Sequence, residues 1–154
     1  MTFPFYEGFE GGLSNWIAST WAMETNNPYG GAGLAHDTPG GQRWHSAEMY
    51  YNLTLGNSLV TTGAANPQLT FWVRGALLQN TDFWVQHSTD GGLTWNYLLN
   101  VSPMPATWTR QQVALPISAN LRLRFRTYSN PYDWANDDVY LDNIAIEDLP
   151  AAVT

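Results

Sequence analysis

Apolar and polar residues alternate along much of the chain. Leu69, Phe71 and Val73 occupy every second position of segment 68–74, and in segment 121–126 three apolar residues alternate with three arginines. A period of two places the apolar side chains on one face of a β-strand. Shorter segments with strand-like patterns occur at 3–10, 16–18, 21–25, 47–55, 58–61, 83–88, 95–101 and 107–115. No 3.6-residue apolar period persists long enough for a helix, so the pattern predicts an all-β protein of about ten short strands without significant helix.

The last predicted strand contains a slip in its alternation. Val139 and Leu141 are two residues apart, as are Ile144 and Ile146, but one extra residue separates the two pairs at Asp142–Asn143. Such a slip is typical of a β-bulge, which redirects a side chain out of the alternating pattern. Two interpretations remain open. The acidic residues form a turn that enters a core strand, or they form an oxygen-rich corner that holds a hard cation such as calcium.

Segment 26–46 is rich in glycine, proline and asparagine and breaks the strand pattern. This composition predicts long loops with one short strand at Leu34–His36. Loops of this length in a compact domain are usually functional.

The composition excludes several classes of protein. A length of 154 residues suits one domain, for which we predict the bounds 1–149, with a linker remnant at 150–154. The chain has no lysine, and six arginines against thirteen acidic residues give a net charge of −7. This charge argues against nucleic acid and anionic membranes as partners, and no apolar run is long enough for membrane insertion. The absence of cysteine excludes disulfides, zinc–thiolate sites and thiol catalysis.

Seven short motifs follow one another in a recognisable order. They are Phe9–Gly11 with Leu13 and Trp16, His45–Ser46, Leu69–Trp72, Ser88–Trp95, Trp108–Val113, Leu123–Arg126 and Asp138–Ile144. Together they resemble the MAM-like, galactose-binding-like jelly-roll modules appended to secreted bacterial multidomain proteins. The resemblance covers nearly the whole chain and implies a jelly-roll β-sandwich of two antiparallel sheets. It also implies a secreted or cell-surface accessory module tethered to other domains of a larger chain.

The resemblance implies a structural calcium ion between the first and last strands. Glu10 matches the first-strand ligand of related jelly rolls and Asp142 the last-strand ligand, with Glu7 and Asp138 as possible helpers. Calcium takes six to eight oxygen ligands and tolerates irregular geometry. Each residue also has a simpler interpretation, since Glu10 could face solvent and Asp142 could bond the amides of the bulge.

No catalytic motif is present. The chain lacks a Gly-x-Ser-x-Gly elbow, a His-Glu-x-x-His helix and a phosphate-binding Gly-x-x-x-x-Gly-Lys loop. The neighbouring carboxylates Asp137 and Asp138 would need a cleft and a suitable separation to act as a glycosidase pair. We therefore predict that the protein is not an enzyme.

Aromatic residues in the loops are candidates for ligand binding. Tyr29, Trp44, Tyr132 and Trp134 lie outside the alternating pattern, among asparagine, aspartate, glutamine and arginine. Flat apolar rings beside planar polar groups suit a sugar site, although these rings could instead pin the loops to the sandwich. Three other tryptophans match positions that are normally core in the family: Trp16, Trp95 and Trp108.

The arginine stripe of the strand at 121–126 has two interpretations. Arg122, Arg124 and Arg126 form a salt-bridged or solvated outer face, or a clamp for a carboxylate or an acidic glycan. The net negative charge favours a neutral polysaccharide or surface glycan as partner unless this stripe lies open. We predict a non-catalytic carbohydrate-binding module with a structural calcium ion. The alternative is a protein–protein adhesion or spacer module.

Overall fold

Two antiparallel β-sheets form the body of the protein. The structure is a computed structural model that describes residues 1–39, 43–45, 47–77, 81–129, 133–135 and 138–151, with the backbone alone described at 43–45 and 133–135. These residues form thirteen strands and no helix, so none of their elements is a helix able to span a membrane. The prediction of an all-β sandwich is confirmed. The strand number exceeds ten because several strands have only three residues.

One sheet contains six strands. They are β1 (Phe5–Glu7), β3 (Ala22–Glu24), β4 (Leu34–His36), β7 (Pro67–Ala76), β10 (Thr109–Ala114) and β13 (Asp138–Asp148). Their order is β10-β7-β13-β4-β3, and β1 also pairs with β13. The predicted strand at 34–36 is thus confirmed, and it lies beside the last strand of the chain.

The second sheet contains five strands. They are β2 (Trp16–Ala18), β6 (Met49–Leu55), β8 (Thr81–Ser88), β9 (Asn96–Asn100) and β11 (Arg122–Ser129), in the order β2-β6-β11-β8-β9. A separate two-stranded ribbon pairs β5 (Arg43–His45) with β12 (Asp133–Ala135). Since β5 precedes β6 and β12 follows β11, the ribbon begins at the end of the sheet where Met49 pairs with Ser129.

The apolar positions of the alternating strands form the core between the sheets. Leu69, Phe71 and Val73 of β7 are fully buried, as are Leu123 and Phe125 of β11. The Phe125 ring lies at the centre, with its centroid 5.3 Å from that of Phe71. The arginines of β11 therefore face outward, as the alternation predicts.

The slip in the last strand is a β-bulge. The register of β13 against β7 shifts between Asp142 and Ala145, and Asn143 has a φ of 45°. The bulge keeps Val139, Leu141, Ile144 and Ile146 in the core.

A second register shift interrupts the alternation of β9. Strict alternation would place the side chains of Tyr97, Leu99 and Val101 on one face of the strand. However, Val85 pairs with Leu99 and the next residue, Gln86, pairs with Tyr97. Tyr97 consequently points outward and is 68% exposed, whereas Val101 is buried in the core.

Candidate functional site

The outer surface of the five-stranded sheet carries a row of aromatic rings. Tyr50 of β6 lies against Tyr128 of β11 with ring centroids 5.2 Å apart, and Tyr128 stacks on Trp84 of β8 at 5.5 Å. Trp84 then meets Tyr97 of β9 edge to face at 5.1 Å. The four rings cross four neighbouring strands, and we call this surface the aromatic face.

Two arginines lie on the aromatic face, each over a ring. The guanidinium carbon of Arg126 is 4.4 Å from the centroid of Tyr50, and that of Arg124 is 4.2 Å from the centroid of Trp95. Arg126 donates to Asn52 Oδ1 at 2.8 Å, and Arg124 donates to Gln86 Oε1 at 2.6 and 2.8 Å. The surface therefore combines stacking rings with planar amides and guanidinium groups.

A shallow cleft borders the row where β8 meets the edge strand β9. It encloses about 360 Å³ and is lined by Trp84, Tyr97, Leu98, Leu99 and Asn100. The register shift in β9 forms this cleft by turning Tyr97 outward. Polar and aromatic groups that converge on a concave surface are typical of ligand sites.

Carboxylates lie at one end of the aromatic face. Glu48 accepts hydrogen bonds from the hydroxyls of Tyr50 and Tyr128, both at 3.1 Å. Asp82 pairs in register with Tyr128 on the neighbouring strand. Asn52, Arg126, Gln86 and Arg124 lie further along the strands, so the charge of this face changes from negative to positive.

The sequence-predicted loop aromatics are not all brought to this face. Tyr29 lies on the other sheet, where it stacks on Trp72 at a centroid distance of 3.8 Å and meets Trp108 edge to face. Trp44 and Trp134 are paired residues of the β5–β12 ribbon, but their side chains lie outside the described residues, as does all of Tyr132.

The predicted calcium ligands Glu10 and Asp142 both hold the glycine-rich loop at 27–33, which we call the corner loop. Asp142 is fully buried, and its Oδ2 accepts the backbone N–H groups of Tyr29 and Gly30 at 2.9 and 3.0 Å. Glu10 accepts those of Ala32 and Gly33 at 2.9 to 3.0 Å. Gly31 at the centre of this loop has a φ of 60°, a backbone conformation that favours glycine, and a Cβ there would displace the Glu10 carboxylate.

The two carboxylates of the corner loop have opposite pKa shifts. Hydrogen bonds from the backbone of Gly33 and Ala32 lower the pKa of Glu10. Burial raises the pKa of Asp142, and the nearby charge of Glu10 raises it further. The exposed carboxylate of Glu10 and the buried carboxylate of Asp142 thus bear like charges on one loop, an arrangement that a cation would stabilise.

The proposed helpers of the calcium site have other side-chain partners. Glu7 accepts hydrogen bonds from Phe9 N, Asn15 Nδ2 and Trp16 Nε1 at 2.8 to 3.1 Å. Asp138 lies 2.7 Å from His36 Nε2. Within the described part of the chain, no three His, Cys, Asp or Glu side chains form a group that could hold a metal, so further ligands would be backbone or amide oxygens.

A buried polar cluster lies at the end of β4. The ring nitrogens of His36 face Glu24 Oε1 at 2.9 Å and Asp138 Oδ1 at 2.7 Å. The next residue, Asp37, is fully buried and accepts hydrogen bonds from Val139 N and Thr127 Oγ1. Burial raises the pKa of Asp37 to about 7. Asp37 thus joins the two sheets through β13 and β11.

Sequence reasoning missed the residues of the aromatic face and misplaced two tryptophans. Trp16 is a core residue as expected, but Trp95 lies under Arg124 and Trp108 lies on the outer side of the six-stranded sheet. One feature of the sequence could have identified the aromatic face. Trp84 and Tyr128 occupy the outward phase of alternating strands, where polar residues are the usual choice.

Comparisons with known proteins show the fold. No protein-family model and no curated protein sequence matches the chain. Among solved structures, a cleaved adhesin domain of Lys-gingipain from Porphyromonas gingivalis is 18% identical, with a TM-score of 0.66 over 96% of this chain and 99% of that one. The CBM22-1 xylan-binding domain of a Paenibacillus barcinonensis protein is 15% identical, with a TM-score of 0.63 over 96% and 95%.

TmCBM61 in complex with β-1,4-galactotriose is also similar. It is 15% identical and has a TM-score of 0.59 over 92% of this chain and 94% of that one. These identities are low, so the likeness concerns the fold. The chain has the sandwich architecture of carbohydrate-binding modules and adhesin domains.

Proposed function

We propose that this chain is a non-catalytic carbohydrate-binding module that holds a polysaccharide across the aromatic face. The observation that carries the proposal is the row of four rings in contact across four strands. Three interstrand spacings correspond to roughly 14 Å, which is long enough to contact more than one sugar ring. Stacking on such rings contributes binding energy through the apolar faces of sugars.

The polar groups beside the rings suit sugar hydroxyls. Asn52, Gln86 and Asn100 lie in register with Arg126, Arg124 and Trp84. Amide groups both donate and accept hydrogen bonds, as hydroxyl recognition requires. The similarity to a xylan-binding domain and to a galactotriose-bound module supports this ligand class.

The β5–β12 ribbon is a second possible contributor. Its backbone begins at the end of the sheet that holds Tyr50 and Tyr128, so Trp44 and Trp134 remain candidate ligand contacts, together with Tyr132. Tyr29 has a different role in this proposal, because its ring stacks on Trp72 and its backbone is anchored by Asp142.

A binding experiment with Tyr97→Ala tests the proposal. Affinity gel electrophoresis against a panel of soluble polysaccharides should identify at least one ligand with a dissociation constant of about 10 μM to 1 mM, or roughly 4–7 kcal/mol. Tyr97→Ala should weaken this binding by about 1–2 kcal/mol through loss of one ring. The matched control is Tyr6→Ala, since Tyr6 is similarly exposed, at 63%, but lies on β1 of the other sheet.

The proposal is wrong if no polysaccharide binds, or if Tyr97→Ala and Tyr6→Ala have the same effect. Isothermal titration calorimetry with Trp84→Ala provides a second reading, because Trp84 contacts both Tyr128 and Tyr97. Its loss should weaken binding more than the loss of Tyr97.

A protein–protein adhesion module is the second candidate function. The similarity to the gingipain adhesin domain, with a TM-score of 0.66, favours it. An absence of glycan binding together with capture of a protein ligand that depends on Tyr97 would select this alternative. Either function implies a secreted or cell-surface location and attachment to other domains.

A structural calcium ion belongs to the proposal as well. Carboxylate oxygens are ligands that calcium prefers, and Glu10 is close enough to Asp142 for its charge to raise the pKa of Asp142. Glu10 and Asp142 would supply carboxylate oxygens and the loop backbone would supply carbonyl oxygens. The ion would neutralise the charge and fasten the loop to β13.

A further inference from the structure

Half of the positive charge of this acidic chain lies on one strand. Of six arginines in the sequence, Arg122, Arg124 and Arg126 belong to the outward face of β11. Positions two apart on a strand are separated by roughly 7 Å. Like charges at this distance are unfavourable unless a counter-charge compensates them.

Among the three arginines, Arg122 has the most backbone partners in the described part of the chain. It donates to the carbonyl of Leu55 at 2.5 and 2.8 Å and to that of Gly91 at 3.2 Å. Within the described residues, Arg126 donates only through its Nε, to Asn52, and the Nη1 of Arg124 has no hydrogen-bond partner. Neither forms a salt bridge with any carboxylate among the described residues.

We propose that Arg124 and Arg126 bind the carboxylate groups of an acidic polysaccharide, so that the ligand class of the aromatic face is a uronate-containing glycan. The proposal rests on the carbohydrate-binding function proposed above. The net negative charge of the chain favours a neutral ligand only if partners within the protein occupy the arginines of β11. Guanidinium nitrogens of Arg126 and Arg124 that lack a hydrogen-bond partner among the described residues leave that stripe open.

The chemistry of the two side chains suits a planar anion. A guanidinium group presents parallel N–H donors that match the two oxygens of a carboxylate. The ring contacts with Tyr50 and Trp95 hold both groups in place before a ligand arrives, which lowers the entropic cost of binding.

The charge state of the arginines supports the same conclusion. Burial, with a smaller contribution from the neighbouring charge of Arg126, lowers the pKa of Arg124 to about 10, and burial also lowers the pKa of Arg126. Arg124 therefore remains protonated at neutral pH. A bound carboxylate would offset the unfavourable free energy of burying these two positive charges.

The acidic end of the face fixes where the carboxylates lie. Glu48 and Asp82 flank Tyr128 and would repel an anion there. Carboxylates of the ligand therefore lie at Arg126 and Arg124, away from Glu48 and Asp82, and hydroxyl groups of the sugar rings lie beside Tyr128. The charge gradient gives the bound chain a preferred direction.

A comparison of matched ligands tests the charge directly. Isothermal titration calorimetry of the wild type should show tighter binding to polygalacturonate than to its fully methyl-esterified form, by about tenfold or more, the range expected for a hydrogen bond between charged groups. The difference should shrink as sodium chloride is added, because salt screens exposed charges. Dextran sulfate serves as a polyanion without carboxylates and should bind more weakly than polygalacturonate.

Substitutions assign the effect to the two arginines. Arg126→Gln should lower the affinity for polygalacturonate about tenfold and leave that for the ester nearly unchanged. Arg110→Gln is the matched control, since Arg110 is exposed on β10 of the other sheet and, among the described residues, its side chain donates only to Gln112. Should Arg126→Gln fail to fold, Arg126→Lys retains the charge, and the loss of its paired donors should still weaken binding.

Each outcome has a distinct meaning. Equal or better binding of the ester would overturn the acidic-glycan inference and leave carbohydrate binding intact. Equal binding of dextran sulfate would overturn the preference for carboxylates in favour of general charge attraction. No binding of either pectic form also overturns the inference, and the panel with Tyr97→Ala then decides whether carbohydrate binding fails as well.

Discussion

An arginine lies over aromatic rings on the outer surface of each sheet, but the two arginines have different surroundings. On the six-stranded sheet, Arg74 lies 4.0 Å from the ring centroid of Tyr140 and 5.0 Å from that of Trp108, and it donates to the backbone carbonyl of Asn26 at 3.1 Å. On the five-stranded sheet, Arg126 lies over Tyr50 and has no backbone partner in the described part of the chain.

The two sheet surfaces differ in whether a loop covers them. Segment 26–33 folds over the six-stranded sheet, where Trp108 donates to the carbonyl of Asn27 and Tyr29 stacks on Trp72. The rings there anchor a loop, whereas the rings of the aromatic face contact one another, the side chains of Arg126 and Glu48, and solvent. Residue type alone therefore does not identify a binding surface. The hydrogen-bond partners of the polar atoms distinguish a covered surface from an open one.

The largest expected effect concerns Asp37, the buried carboxyl group between the two sheets. The pKa of Asp37 in the folded protein, about 7, exceeds its ordinary value of 3.8. The folded state therefore retains a proton that the unfolded state releases, and stability falls as pH rises from about 4 to about 7. The difference between these two pKa values corresponds to a loss of up to about 4 kcal/mol in the free energy of unfolding.

Asp37→Asn isolates this effect. An amide can still accept from Val139 N and donate to Thr127 Oγ1, so the fold should be retained. Urea unfolding between pH 4 and 8 should show the slope in the wild type and a smaller slope in the variant, which becomes the more stable protein at pH 8. Parallel curves for the two proteins would show that Asp37 is ionised throughout.

The next effect concerns calcium at the corner loop. An ion that binds only the folded state, at 100 to 1,000 times its dissociation constant, would add about 3–4 kcal/mol, or roughly 6–16 °C in melting temperature for a domain of this size. Differential scanning calorimetry with calcium and with EDTA measures this gain, and Asp142→Asn should abolish most of it.

The aromatic face provides the control for the calcium experiment. Polysaccharide binding at Trp84 and Tyr97 should change little on chelation if the two faces act independently. Identical melting curves in calcium and EDTA would remove the ion from the proposal, and the backbone amides would then be the only partners assigned to Asp142 and Glu10.

The smallest effect compares one ring from each face. Trp72→Ala removes the ring on which Tyr29 stacks and should cost about 2 kcal/mol of stability, less than the 3–5 kcal/mol of a fully buried tryptophan. Tyr97→Ala should change stability by less than about 0.5 kcal/mol because its side chain is mostly exposed. Chemical denaturation measures both stability losses. A larger loss for Tyr97→Ala than for Trp72→Ala would contradict the comparison.

Alternation predicted most of the fold because burial on one face imposes a period of two on each strand. It located the core side chains of β7 and β11, and the slip at Asp142–Asn143 located the bulge. Alternation failed at β9, because the register shift opposite Val85 and Gln86 depends on a neighbouring strand distant in sequence.

The aromatic face could not be assembled from the sequence. Tyr50, Trp84, Tyr97 and Tyr128 come from four strands whose neighbours are set by the sheet order β6-β11-β8-β9. The loop aromatics are candidates in the sequence because they lie outside the alternating pattern. One of them, Tyr29, proved to be held by Trp72 across the sheet surface.

The pairing of β1 with β13 has a mechanical consequence. Phe5 pairs with Ile146, so the start of the first strand and the end of the last lie side by side in the six-stranded sheet. Tension applied through both ends would peel β1 away one hydrogen bond at a time, until it reached the side-chain bonds of Glu7 to Asn15 and Trp16. The aromatic face belongs to the opposite sheet and would stay outside this line of force, so a ligand could remain bound while the module is stretched.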